Sequence, residues 1–394
     1  MIDKVVRFRL KDLKKIKSKW NQYRFWLFTL FFFSMTLNRG FFAPIDKIIL
    51  FASIPAFAFL YKDQIKLSSK EWLSMMVVFI ITCTAILFNV SLFDPVIITP
   101  MVGLFFALMF PYFQTNIKTV YYGLGAYVTL SILLVVLSYK FNLLYYVRPL
   151  YDKGLPNFNA PMAFSPTVQV VCTFCNICIF IYLKEYSKNL SSISAIDKGI
   201  FYICVFCIII SFSRSSQIAL LLLLAYHYKR LFIVFFVGGL LALLFINFDD
   251  LNGAILATNT IESRMKFMDG FIYAFFYIGT WTGQVFGFGS FKMTDFIISQ
   301  TNSLNLYIEN GTLGLLHCFG FVGMFFYYFL TIRFIAALNW KDYLTSLMAI
   351  LYLLLIPQST HEFLSVSFYV FLAVLFYYNH ENKSLIESTP KGEL

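Results

Sequence analysis

The chain has 394 residues, of which 59% are hydrophobic, 20% aromatic and 13% charged, with a formal net charge of +11. Soluble domains carry about 25% charged residues, so this composition excludes a soluble globular protein and defines an all-α integral membrane protein whose helices share one bundle. The excess charge follows membrane topology and has no aromatic stacking platform beside it, which excludes nucleic-acid binding.

Residues 1–24 read as a basic cytoplasmic segment, with Lys4, Arg7, Arg9, Lys11, Lys14, Lys15, Lys17, Lys19 and Arg24 preceding the first apolar run. No small-residue cleavage site follows that run, so it is not read as a signal peptide; the basic stretch suits anionic lipid. Residues 25–378 read as the polytopic membrane domain and 379–394 as a polar cytoplasmic tail. Apolar runs predict about twelve transmembrane helices. The first five lie near 25–38, 46–61, 72–90, 95–113 and 119–138, and the sixth, near 166–183, follows a loop rich in Pro, Asn and Tyr (about 139–165).

The next apolar run, roughly Gly199 to Tyr228, contains Ser211-Phe212-Ser213-Arg214-Ser215-Ser216. One helix over that run would measure ~45 Å at 1.5 Å per residue and overshoot a hydrocarbon core of ~30 Å. The run is therefore read as two short helices, the seventh and eighth, turning at Ser213-Arg214-Ser215. Arginine stays charged, and in lipid it costs at least ~2.5–3.5 kcal/mol, which marks Arg214 as a functional candidate. The ninth helix is expected near 231–247, the tenth near 311–331, and the last two near 343–357 and 363–378. A large outer-face loop, about 248–303, separates the ninth and tenth. Alternating these spans from a cytoplasmic start places roughly 22 Lys and Arg inside and roughly 9 outside, as the positive-inside rule requires. Both termini are then cytoplasmic. The two long loops, the Arg214 turn and His361 share the outer face.

Within the large loop, Thr258-Asn259-Thr260 offers an N-cap to a helix running through Tyr277, too apolar for a free surface helix and too short to span. An interfacial or re-entrant helix is expected there. Glycines alternate with aromatics in Phe286-Gly287-Phe288-Gly289-Ser290-Phe291, which predicts a tight loop with close backbone approach. Arg214, Arg264 and Arg148 are outer-face guanidiniums whose planar forks match phosphate oxygens. Salt bridges to Asp269, Glu262 and Asp152 are the structural alternative. All seven cysteines fall in apolar spans and read as packing. The four histidines are scattered with no metal-ligand spacing; His317 reads as a hydrogen-bonded core residue, and His361 as either a solvated loop residue or a general base.

The segment Ser211 to Leu222 resembles the Ser-Arg-bearing hairpin of the bacterial O-antigen polymerase and O-antigen ligase superfamily. The pieces that follow keep that superfamily's order: Glu262-Ser263-Arg264, then Gly287-Phe288-Gly289-Ser290-Phe291, then Asn302-Ser303-Leu304-Asn305-Leu306-Tyr307-Ile308-Glu309-Asn310-Gly311-Thr312-Leu313-Gly314. The likeness covers roughly residues 199–331. Ligases carry a functional histidine just before the Asn-Ser segment; Thr301 stands there instead, which favours polymerase over ligase. A lipid-linked oligosaccharide flippase or transporter is the other alternative. The resemblance implies a glycosyl transfer at the outer face of the inner membrane between polyprenyl-diphosphate-linked oligosaccharides. In that reading Arg214 and Arg264 stabilise the donor diphosphate, and Glu309, Asp269 or His361 is the general base. Arg148, Asp269, Trp281 and Asn302 lie along the substrate. The resemblance implies no cofactor or metal, and partners limited to membrane lipid, a chain-length regulator and a flippase.

Overall fold

The computed structural model describes residues 21–39, 42, 45–88, 94–113, 116–141, 143–150, 155–185, 193–228, 258–301, 308, 310–358 and 362–388. Almost every predicted apolar run within them is a helix. Residues 21–34 form α1, followed by α2 (Ile45–Leu60), α3 (Ser69–Leu87), α4 (Thr99–Met109, flanked by 3-10 turns) and α5 (Lys118–Ser138). Next come strands β1 (Val147–Leu150) and β2 (Leu155–Pro161), then α6 (Val168–Glu185), α7 (Ala195–Ser211) and α8 (Arg214–His227). The expected ninth helix, near 231–247, lies outside the described residues. The chain continues with α9 (Thr258–Tyr273), a π-helical turn (Ala274–Ile278), α10 (Trp281–Phe286), α11 (Asp295–Thr301) and α12 (Gly311–Ala336). It ends with α13 (Tyr343–Ile350, extended by a π turn over Leu351–Leu355) and α14 (Val366–Ser388).

Among the described residues, five segments are long and apolar enough to cross a membrane: Ser69–Leu87, Val96–Phe113, Lys118–Ser138, Val168–Glu185 and Gly311–Ala336. Residues Arg214–Ala225 and Tyr343–Leu355 are shorter apolar helices. A helical membrane-embedded protein is the class this architecture defines.

The contacts divide the chain into two compact units, residues 1–65 with 109–216, and residues 66–108 with 217–394. In the first, α6 is buried along nearly its whole length between α5 and α7. Its Cys172, Cys175 and Cys178, with Cys204 and Cys207 of α7, are buried inside this packing and joined in no disulfide, as their apolar setting predicts. Gly123 lets α5 meet α1 closely: a Cβ there would stand 2.6 Å from the Thr29 carbonyl oxygen. Arg24 closes one end of the unit. Its Nη2 donates to Tyr61 Oη (2.5 Å) and to the Phe113 carbonyl (2.6 Å), and its guanidinium lies 5.3 Å from the Tyr61 ring centroid.

The described residues between 139 and 165 include two paired strands where a loop was expected. β1 and β2 form an antiparallel pair, with Val147 opposite Pro161 and Arg148 opposite Ala160. Pro149 fits because a two-stranded ribbon leaves one edge of each strand unpaired, where a missing N–H is harmless. The hairpin is fixed to α5 by Asn159, whose Nδ2 donates to Ser138 Oγ (2.9 Å) and whose N–H donates to Tyr139 Oη (3.2 Å).

In the second unit α12 packs on α3 and α10. Ser68 and Glu71 form a reciprocal capping box that starts α3. Gly103 of α4 faces the Tyr369 ring of α14 so closely that a Cβ would overlap it. An apolar cavity of about 140 Å³ lies among these helices, lined by Thr82, Leu104, Phe319, Tyr327 and Tyr369 among others.

Candidate functional site

The serine-rich stretch is a helix break, as its length demands, but the turn comes one residue earlier than predicted. Phe212 adopts a left-handed conformation (φ 51°, ψ 28°) and ends α7; Arg214 is already the first residue of α8. Three serines build the joint. Ser211 Oγ donates to the Ile208 carbonyl (2.7 Å) and accepts from the Ser213 N–H (3.1 Å), while Ser213 Oγ donates to Ser216 Oγ (3.1 Å). All three are buried, whereas Arg214 is exposed. Ser211 and Ser213 thus spend their hydroxyl protons within the turn, and the exposed Arg214 projects from it. A cation at a helix N-terminus sits at the positive end of the dipole, which costs about 0.3–1 kcal/mol. An anion arriving there meets both the dipole and the guanidinium.

Arg148 and Arg39 belong to the same unit as Arg214. Arg148 is exposed on β1, opposite Ala160. Arg39 was not singled out by the sequence. Its Cζ lies 4.4 Å from the Tyr145 ring centroid, and its Nη1 is buried with no hydrogen-bond partner among the described residues. The Arg39 segment is held to the hairpin region by the Asn38 N–H donating to the Phe164 carbonyl (2.8 Å) and by Phe42 and Tyr146 rings against Phe164. No local spacing announces this contact; it exists because the hairpin folds back over the joint between α1 and α2.

The remaining candidates belong to the second unit or lie outside the described residues. Arg264 and Asp269 are on α9; of Arg264 only the backbone is described, and Asp269 is exposed. Their offset of five residues puts them about 140° apart around the helix, so they do not share a face. Trp281 opens α10 and is 70% exposed. Asn302, Glu309 and His361 lie outside the described residues.

The glycine-aromatic loop makes the close backbone approach its composition predicts. Gly287 (φ 87°, ψ 170°) is pressed against α12, where Gly320 (φ 65°, ψ −167°) kinks the helix. The kink frees carbonyls of the preceding turn, and the loop satisfies them: the Phe288 N–H donates to His317 O (2.7 Å) and the Gly289 N–H to Cys318 O (3.2 Å). Ser290 O accepts from His317 Nδ1 (3.0 Å) and from Cys318 Sγ (3.3 Å). Because a carbonyl only accepts, Nδ1 carries the proton. His317 is therefore the hydrogen-bonded core histidine expected.

Two further residues that the sequence did not reveal brace this region, Asp94 at the loop and Gln284 at the π turn before α10. Asp94 caps the helical turn before α4 through Val96 N–H (3.0 Å), and its other oxygen accepts from the Phe291 N–H (3.2 Å). Gln284 Nε2 lies 3.0–3.2 Å from three carbonyls, those of Phe275, Phe276 and Gly279, at the end of the π turn. A π turn leaves carbonyls poorly served, and a single amide on the next helix compensates.

A scan against models of known protein families finds no match for this chain, and a search of curated proteins finds none.

Proposed function

We propose that this protein is a surface-polysaccharide polymerase of the O-antigen type, joining polyprenyl-diphosphate-linked oligosaccharides at the outer face of the inner membrane. The proposal includes twelve spans with both termini cytoplasmic. The observation that carries it is Arg214: an exposed guanidinium at the N-terminus of α8, on a turn held by hydrogen bonds among Ser211, Ser213 and Ser216. Its place ahead of Arg264, the glycine turn and the Asn-Ser segment, in that order, is the pattern of the superfamily that the sequence resembles.

In the reaction, an acceptor sugar hydroxyl attacks the donor's anomeric carbon. The bond from that carbon to the diphosphate oxygen breaks, polyprenyl diphosphate leaves, and the hydroxyl proton passes to a base, for which Glu309, Asp269 and His361 are the candidates. Arg214 and Arg264 stabilise the charge on the departing diphosphate, and Arg148 lies along the substrate. Removing one such donor typically costs about 10²–10³ in rate. Thr301 supports polymerase over ligase: its hydroxyl is spent on the Ile297 carbonyl (2.8 Å), and it offers no imidazole.

The test is the surface-glycan ladder of a strain lacking this gene. Lipid A core carrying a single repeat is the expected result. A bare core with long polymer retained on the carrier lipid would instead assign a ligase, and an unchanged ladder would remove the reading.

A further inference from the structure

We propose that the arm formed by α9, the π turn and α10 is set into the lipid bilayer, its outward face covered by phospholipid. This inference stands independently of the proposed activity. The arm carries two apolar stripes side by side. One is inside the protein: Phe271, Ala274 and Phe275 are fully buried in a cluster with Phe288, Ile297 and Leu316. The other is outside: Met265, Met268, Ile272 and Phe276, spaced three and four residues apart along one side, are all exposed. A helix that faces water carries polar residues on that side; here the exposed charges Lys266 and Asp269 lie to one side of the Met265–Phe276 stripe, and the stripe itself is left to apolar matter.

Continuity with α12 identifies that matter. α12 is long and apolar enough to cross a membrane, and it exposes a stripe of Phe321, Phe325, Phe329 and Ile332. A stripe of that kind on a spanning helix faces acyl chains. The Phe276 ring lies 5.7 Å from the Phe321 ring and the Phe275 ring 6.1 Å from it, so the stripe continues onto the arm without a polar break at that contact. The arm's last exposed aromatics mark the lipid boundary. Tyr273 and Tyr277 stack at 5.3 Å, and Tyr277 and Trp281 are 79% and 70% exposed. Tyrosine and tryptophan concentrate at the headgroup level because each joins an apolar ring to a polar group.

The experiment uses the full-length protein in vesicles of phosphatidylethanolamine and phosphatidylglycerol. Cys83, the one cysteine that is not fully buried, is replaced by serine. Nitroxide labels are then placed one at a time at Met268→Cys and Ile272→Cys. Phe325→Cys, on the α12 stripe, is the lipid reference, and Asp63→Cys, exposed in the polar turn after α2, is the water reference. Collisions are measured with oxygen, which concentrates in lipid, and with a nickel chelate, which stays in water. Oxygen collisions as frequent as at Phe325, with nickel collisions lost to the Phe325 level at both sites, support the proposal. Nickel collisions at the Asp63 level place the face in water and overturn it. Protection from both reagents means that protein covers the face, and overturns it equally.

Discussion

Replacing Gly287 with alanine tests whether the glycine loop and the α12 kink are one interlocked joint. A Cβ at Gly287 would stand 2.3 Å from Cys318 O and 2.4 Å from Cys318 C and Phe319 N, all of them backbone atoms that no rotamer change can move. Its φ of 87° and ψ of 170° lie in a region that essentially only glycine occupies, at a cost of about 1–3 kcal/mol for any other residue. Relief of the clash separates the loop from α12 and breaks the Phe288–His317 and Gly289–Cys318 hydrogen bonds, stranding buried groups at about 1–3 kcal/mol each. The expected loss is about 3–6 kcal/mol, a large share of what holds a domain folded. Gly199 is the control: a Cβ there meets nothing within 4 Å, so Gly199→Ala in α7 should be neutral or gain about 0.5–1 kcal/mol. Thermal unfolding in detergent and amide hydrogen exchange at Phe288 and Gly289 read both variants. If Gly287→Ala melts with the wild type and keeps both amides protected, the interlock is not as described.

Arg24→Gln should lower the melting temperature, since hydrogen bonds to a charged group contribute about 1.5–3 kcal/mol, and Arg24→Lys should not restore it because one ammonium lacks the planar fork that reaches both Tyr61 and Phe113. Gln284→Leu should speed amide exchange in the π turn 274–278 and destabilise the arm, whereas Gln284→Asn, one methylene too short to reach the carbonyls, should behave like the leucine variant. Tyr145→Leu removes the ring under Arg39 and should cost about 0.5–2 kcal/mol by thermal unfolding, while Tyr145→Phe, which keeps the ring face, should cost little.

Much of the helical framework was readable because long apolar runs report removal from water, whether into protein or into lipid. Runs near 72–90 and 311–331 became α3 and α12 with ends shifted by a few residues. The break at Arg214 followed from length alone, since no single span accommodates the Gly199–Tyr228 run. Its register was missed by one residue because the left-handed turn falls on Phe212, a residue type that rarely adopts it. The β-hairpin was hidden by Pro149 and Pro156, which read as loop punctuation when no pairing partner is known. The glycine loop declared its close approach, yet its partner, the Gly320 kink, lies about thirty residues on and becomes visible only when the backbones are in contact. Arg39, Asp94 and Gln284 follow the same logic. Each acts through a tertiary contact, with an aromatic face, a loop amide or a set of carbonyls, that local spacing does not encode. Arg214 was legible for the opposite reason: a permanent charge within an apolar run is conspicuous before anything folds.

Whether Arg214 handles a diphosphate-linked sugar donor is decided by complementing the gene-deletion strain with Arg214→Ala and comparing its glycan ladder with wild type at matched protein levels. Core bearing single repeats, with the long ladder lost, is the expected result. Normal chain lengths from an Arg214→Ala protein present at the wild-type level would contradict it.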